Sequence, residues 1–168
     1  MDQPRLAPQI TIRFGAVGLL LFICDRITKY FAYCCLPREG VFLFGDAPGF
    51  ALERNQGIAF SIPLPIVPLL LVIFCIVAVL IGMWLRAVRQ SDNLAAWGTV
   101  LVIIGALSNA FDRLRFGYVI DFIRLTTWPT FNLSDSFIFF GVSILLVSYL
   151  LTKKHNARPP FNSSDYRS

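Results

Sequence analysis

The sequence predicts a membrane protein, mainly α. Four transmembrane helices carry a small extracytoplasmic β-sheet and loop subdomain at the membrane surface. Three observations predict this. Hydrophobic residues make up 56% of the 168 residues and charged ones only 15%, where a soluble domain has about 45–50% and about 25%. Mean hydropathy is +0.66, and so short a chain cannot hide that much apolar surface in a core of its own. The apolar residues fall in runs of helix length, separated by stretches rich in glycine and proline. A disordered chain, a collagen-like chain and a coiled coil are excluded by the same figures.

A spanning helix needs about 20 mainly apolar residues. Residues 66–85 supply twenty without a charge, and 94–111 supply eighteen before Asp112. Residues 136–152 supply seventeen before Lys153-Lys154. The run 14–24 is too short alone, but the apolar pattern resumes after Asp25 through Ile27, Tyr30, Phe31 and Tyr33. Spans are therefore expected at about 12–33, 66–86, 94–111 and 136–152, within one domain over 1–155. Between the first two, segment 37–65 carries Pro37, Gly40, Gly45, Pro48, Gly49, Gly57, Pro63 and Pro65. Short apolar runs at 41–44 and 50–52 between these breakers read as strands joined by turns. Segment 112–135 offers an extended stretch at 118–123, with a turn expected at Trp128-Pro129. The polar tail 156–168 is expected to be disordered and cytoplasmic.

Orientation follows from Lys and Arg in the short flanks. Segments 1–13, 86–93 and 152–168 hold eight basic residues in 38, and the two intervening segments hold five in 56. Both termini are expected in the cytoplasm. The net charge of +5 then reflects topology and anionic lipid headgroups, not nucleic acid. The basic start and apolar run imitate a signal peptide, but Asp25-Arg26 stands where a small-residue cleavage site would follow. The first helix is expected to stay.

The inventory of reactive groups is short. The one histidine, His155, lies in the expected cytoplasmic segment 152–168, so a Ser-His-Asp triad and an HExxH zinc site are excluded. Cys24, Cys34, Cys35 and Cys75 show no CxxC spacing. No metal or cofactor is implied. What remains is a set of polar residues at one end of the predicted bundle: Asp25, Thr28, Lys29, Asn55, Gly57, Asn109, Asp112, Arg113, Asp121, Asn132 and Asp135. Ionisable groups at membrane depth are costly, so such a cluster points to function. Plainer roles stand beside that. Asp25 and Lys29, four apart, can form an intrahelical pair. Asp112-Arg113 can end a span at the headgroups. Asp135 can be the N-cap of the last helix. Asp121, between Ile120 and Phe122 on an apolar strand, has no such role.

Asp121 and Asp135 are fourteen residues apart around a proline-containing turn. Two carboxylates brought together cannot both ionise cheaply, so the pair shares a proton and titrates as a unit. The ionised member can take a proton from water. The protonated member can polarise a carbonyl and later supply a proton to the leaving amine. That is peptide hydrolysis without a metal, serine or cysteine.

The motifs resemble those of lipoprotein signal peptidase, the signal peptidase II family of bacterial inner-membrane aspartic proteases. They are Asp25-Arg26-Ile27-Thr28-Lys29, Asn55-Gln56-Gly57-Ile58-Ala59-Phe60, Gly105-Ala106-Leu107-Ser108-Asn109-Ala110-Phe111-Asp112-Arg113, Val119-Ile120-Asp121-Phe122 and Phe131-Asn132-Leu133-Ser134-Asp135. They occur in the family's order over about 12–152. The resemblance implies an inner-membrane enzyme, embedded in lipid, that cuts prolipoproteins just before a diacylglyceryl-modified cysteine; a monomer is expected. It makes Asp121 and Asp135 the catalytic pair. Asn55, Gly57, Asn109, Asp112, Arg113 and Asn132 would support substrate or pair, and Asp25 and Lys29 would brace the first helix. Ser108 stands where the family usually has Gly, and Ser134 where it usually has Ala. Two rival functions remain: a catalytically weak or silent relative that binds lipidated proteins, and a small transporter using the intramembrane charges.

Overall fold

The structure, a computed structural model, describes residues 8–45, 48–57, 65–126 and 128–156. The expected disordered tail lies almost wholly outside these, as does Ile58-Ala59-Phe60 of the second motif. Four long helices, α1 (Pro8–Cys35), α2 (Ile66–Arg89), α3 (Asn93–Phe116) and α4 (Leu133–Asn156), carry four strands at one end. Strands β1 (Val41–Phe42) and β2 (Gly49–Asn55) follow α1, and β3 (Val119–Leu125) and β4 (Trp128–Phe131) join α3 to α4. Among the described residues, α2, α3 and α4 are long and apolar enough to cross a membrane. Helix α1 is as long, but it carries Arg13, Asp25, Arg26 and Lys29.

Local chemistry sets the helix ends. Asp92 caps α3, its side chain accepting from the Ala95 amide at 2.9 Å, which satisfies one of the free N–H groups of the first turn. Gly117 ends α3 in the left-handed region at φ 80°, its amide donating to the Arg113 carbonyl. Helix α3 thus runs past Asp112. That residue is fully buried within the protein and does not end the helix.

Helices α3 and α4 form the closest pair. A Cβ on Gly98 would stand 3.0 Å from the Gly141 carbonyl oxygen, and one on Gly105 would press on the Ser134 carbonyl and on Ile138. Small residues let the two backbones approach, the usual basis of helix association in lipid. At the end away from the sheet, Phe14, Ala87, Ala96 and Val100 join α1, α2 and α3 in one apolar cluster. The Phe14 ring lies 4.3 Å from that of Trp97.

The sheet is antiparallel in the order β1-β2-β3-β4. The strands of segments 37–65 and 112–135 therefore share one sheet. Asn55 pairs with Val119 and Glu53 with Asp121, and a register shift lies between Phe50 and Glu53. The turn expected at Trp128-Pro129 is not there. Trp128 pairs with Leu125, and Pro129 lies within β4. An edge strand tolerates a proline because the missing N–H can face away from the ladder.

Candidate active site

Five elements bring the polar residues together at the sheet end of the bundle. Asp121 enters from β3, one strand over from Asn55, and its side chain is 1% exposed. Its Oδ2 accepts from Asn55 Nδ2 at 2.9 Å and its Oδ1 from Asn132 Nδ2 at 2.6 Å. Asp135 lies in the first turn of α4. Its Oδ1 accepts from Asn109 Nδ2 at 2.7 Å and its Oδ2 from the Asn132 amide at 3.2 Å.

Asn132, not Asp135, is the N-cap of α4. Its Oδ1 accepts from the Asp135 amide at 3.0 Å while the Asp135 carboxylate accepts from the Asn132 amide. This is a reciprocal capping box with Asp in the third helical position. The sequence is ambiguous here because both residue types suit a cap. Asn132 therefore joins the two carboxylates: its side chain holds Asp121 and its backbone holds Asp135.

An asparagine amide can face either way, and its neighbours decide which end donates. Each of the three has its oxygen already engaged. Asn55 Oδ1 accepts from the Gly57 amide at 3.0 Å. Asn109 Oδ1 accepts from Lys29 Nζ at 3.0 Å and Asn132 Nδ2 at 3.3 Å. Asn132 Oδ1 caps α4. All three NH₂ groups must therefore point at the carboxylates, and all four carboxylate oxygens of the pair receive a donor.

Behind the pair, Asp25, Lys29 and Asp112 are buried together. Lys29 Nζ lies 3.0 Å from Asp25 Oδ2 and 2.8 Å from Asp112 Oδ2. The intrahelical Asp25–Lys29 pair thus exists, but it also reaches α3. Asp25 Oδ1 accepts from the Ser134 amide at the start of α4 at 2.9 Å, where a helix favours an anion. Asp112 Oδ2 accepts from the Ile120 amide at 3.4 Å. Arg113 donates through Nη2 to the Gly57 carbonyl at 2.8 Å, tying α3 to the end of β2. Thr28 stays apart, its hydroxyl bonded to the Asp25 carbonyl.

The sequence did not single out Arg26. Its two Nη groups bond Asp25 and Asp112. The signal was a charge inside an apolar helix, which needs a partner. That partner lies 86 residues away. Ser108 and Ser134 are fully buried beside the same group. Ser108 Oγ donates to Asp25 Oδ2 at 2.7 Å, and Ser134 Oγ accepts from Lys29 Nζ at 3.5 Å.

Burial pushes the Asp121 carboxyl up, and the nearby Asp135 charge adds to this. The Asn55 and Asn132 hydrogen bonds and Lys29 oppose it, and the balance is about 7. Asp135 is half-buried. It lines an apolar cleft of about 470 Å³ with Leu125, Trp128, Phe131, Ser136, Phe139 and Phe140.

A family model described as Signal peptidase (SPase) II matches residues 17–151. The chain belongs to the signal peptidase II family. It is 34% identical over 148 residues to the lipoprotein signal peptidase of Moorella thermoacetica, covering 88% of this chain and 99% of the relative. The lipoprotein signal peptidase of Syntrophomonas wolfei is 38% identical over 151 residues, with the same coverage. A solved structure of a bacterial membrane enzyme shares the fold, with a TM-score of 0.71 at 23% identity over 90% of this chain and 94% of that one. Membership in the signal peptidase II family makes the chain a protease.

Proposed function

We propose that this signal peptidase II removes the signal peptide from diacylglyceryl-modified prolipoproteins, cutting just before the lipidated cysteine. Asp121 and Asp135 are the catalytic pair, and Asn55, Gly57, Asn109, Asp112, Arg113 and Asn132 support it. Four helices span the bacterial inner membrane. Both termini are cytoplasmic, and a monomer works at the outer face.

The observation that carries the chemistry is Asn132 bonded to both carboxylates. The pair shares a proton. It is held on Asp121, because burial and the nearby Asp135 charge push that carboxyl up. Asp135, with both oxygens set as acceptors, takes a proton from water as the water oxygen attacks the scissile carbonyl. Asp121 donates to that carbonyl oxygen as negative charge grows there. The gem-diol intermediate collapses when Asp135 passes the water's proton to the leaving nitrogen, one gem-diol hydroxyl returns its proton to Asp121 and the C–N bond breaks, so that acid and amine leave and the pair is back in its starting state. The apolar cleft beside Asp135 offers an oily wall to a substrate that arrives from lipid.

The hydroxyls of Ser108 and Ser134 face Asp25 and Lys29, not the catalytic pair. This favours an active enzyme over a silent relative. The buried charges Asp25, Arg26, Lys29 and Asp112 pair with one another at one end of the bundle, unlike a relay spread across the bilayer. The test is purified enzyme in lipid vesicles with a diacylglyceryl-modified precursor, its products mapped by mass spectrometry. A new N-terminus at the lipidated cysteine is expected, with no effect of EDTA. Cleavage elsewhere, or activity abolished by the chelator, would refute the proposal.

A further inference from the structure

The four charges behind the catalytic pair close into a ring of alternating sign. Arg26 Nη2 donates to Asp25 Oδ2 at 2.6 Å and Nη1 donates to Asp112 Oδ1. Lys29 Nζ bridges the same two carboxylates, at Asp25 Oδ2 and Asp112 Oδ2. Two cations and two anions leave no net charge. Asp25, Lys29 and Asp112 are buried, and the Arg26 side chain is 20% exposed. Its guanidinium stands 5.5 Å from the Phe22 ring centre and 5.2 Å from that of Phe111.

A lysine ammonium has three N–H groups. The three shortest contacts of Lys29 are Asp25, Asp112 and Asn109 Oδ1. The last of these turns the Asn109 amide so that its NH₂ faces Asp135. Because Arg26 also serves both carboxylates, Lys29 is centred between them with one donor left for Asn109. Ser108 completes the seat. Its hydroxyl donates to Asp25, and its carbonyl accepts from Arg26 Nη2 at 3.3 Å.

We propose that Arg26, seated by Ser108, is a positioning residue for the reaction: its fork joins Asp25 on α1 to Asp112 on α3, holds Lys29 against Asn109, and keeps the cluster behind the catalytic pair neutral. This rests on Asp121 and Asp135 being the reacting groups. The planar fork matters as well as the charge, because a lysine at this position carries a point charge and cannot span two carboxylates in the same way. The charges facing the catalytic pair are Lys29 from α1 and Arg113 from α3. Glu53 stands opposite Asp121 on β2 and is exposed. Arg26→Gln leaves the ring with a net negative charge, linked to Asp135 through Lys29 and Asn109. That charge opposes ionisation of the pair, so the acidic limb of the pH–rate profile moves to higher pH.

The experiment measures kcat, KM and the pH profile of precursor cleavage in vesicles for the wild type and the R26Q, R26K, S108A and D121N variants. Each is assayed well below its own Tm. R26Q should lose about tenfold in kcat with KM nearly unchanged, its acidic limb rising by about half a pH unit. R26K should restore the limb but only part of kcat, and S108A should lose about threefold with the limb unmoved. A wild-type R26Q overturns the inference. So does an R26Q that loses rate with its limb in place, or an R26K that leaves the limb displaced. An inactive D121N beside a wild-type R26Q overturns the positioning role alone. An active D121N overturns the assignment of the catalytic pair, and the positioning role with it.

Discussion

Helices α2 and α3 are both 24 residues long and both apolar enough to span a membrane, yet they sit in the molecule in opposite ways. Only 17% of the apolar window of α2 is buried, against 50% for α3. The helix with the cleaner hydrophobic run is the less buried one. In water that would be perverse. In a bilayer, lipid solvates leucine and valine as well as protein does, so an apolar face needs no protein partner. Beside Val100 and Val102, the protein buries Gly98, Gly105, Ser108, Asn109 and Asp112 of α3: residues that allow close approach, and residues that lipid cannot solvate. The small and polar residues of α3 are kept out of lipid, and the candidate site lies where they concentrate.

The contrast can be broken most forcefully at Lys29. Lys29→Met leaves two buried carboxylates facing Arg26 alone, and removing one partner of a buried ionic group costs about 3–5 kcal/mol. Thermal unfolding in detergent should show a large loss of Tm. A value near wild type would mean the cluster is far better solvated than its burial implies.

A smaller effect compares the two helices directly. Gly105→Ala on α3 pushes a methyl group onto the Ser134 carbonyl and Ile138, and overpacking of that kind costs about 1–3 kcal/mol. Gly82→Ala on α2 meets nothing within 4 Å, and should be neutral or stabilise the helix by up to about 1 kcal/mol. Equal Tm shifts of the same sign would erase the distinction between the helices.

A shallower effect comes with pH. The folded-state value of Asp121, about 7, lies above the ordinary 3.8. The folded state therefore binds this proton more tightly than the unfolded one. Its contribution to stability is fully present below about pH 4 and is lost as pH rises through about 7. Asp121→Asn should flatten the dependence of Tm on pH across that window. An unchanged slope would show that Asp121 titrates as an ordinary carboxyl.

Much of the helical frame is legible in sequence, because an uninterrupted run such as 66–85 leaves few alternatives, and α2 starts at its first residue, Ile66. The start of α4 is less legible. It begins at Leu133, ahead of the run counted from Ser136, because Asn132 and Asp135 form a capping box that apolar periodicity does not record. The sheet pairing is not legible, since β2 and β3 are more than sixty residues apart and nothing in either strand names its partner. Asp121 stands out by elimination, as a carboxylate on an apolar strand with no structural excuse. Arg26 does not, because its role lies in spanning two carboxylates, one of them on another helix. The serines show as departures from the family's pattern, and only the packed helices give their hydroxyls a target.

The central claim is that Asp121 and Asp135 together cut the precursor. The direct measurement is processing of a diacylglyceryl-modified precursor by D121N and D135N in vesicles, with the fold of each verified. Either substitution should lower the rate by about 1,000-fold or more, since each removes a group that moves a proton in the reaction. Processing at the wild-type rate by both folded variants would contradict the account.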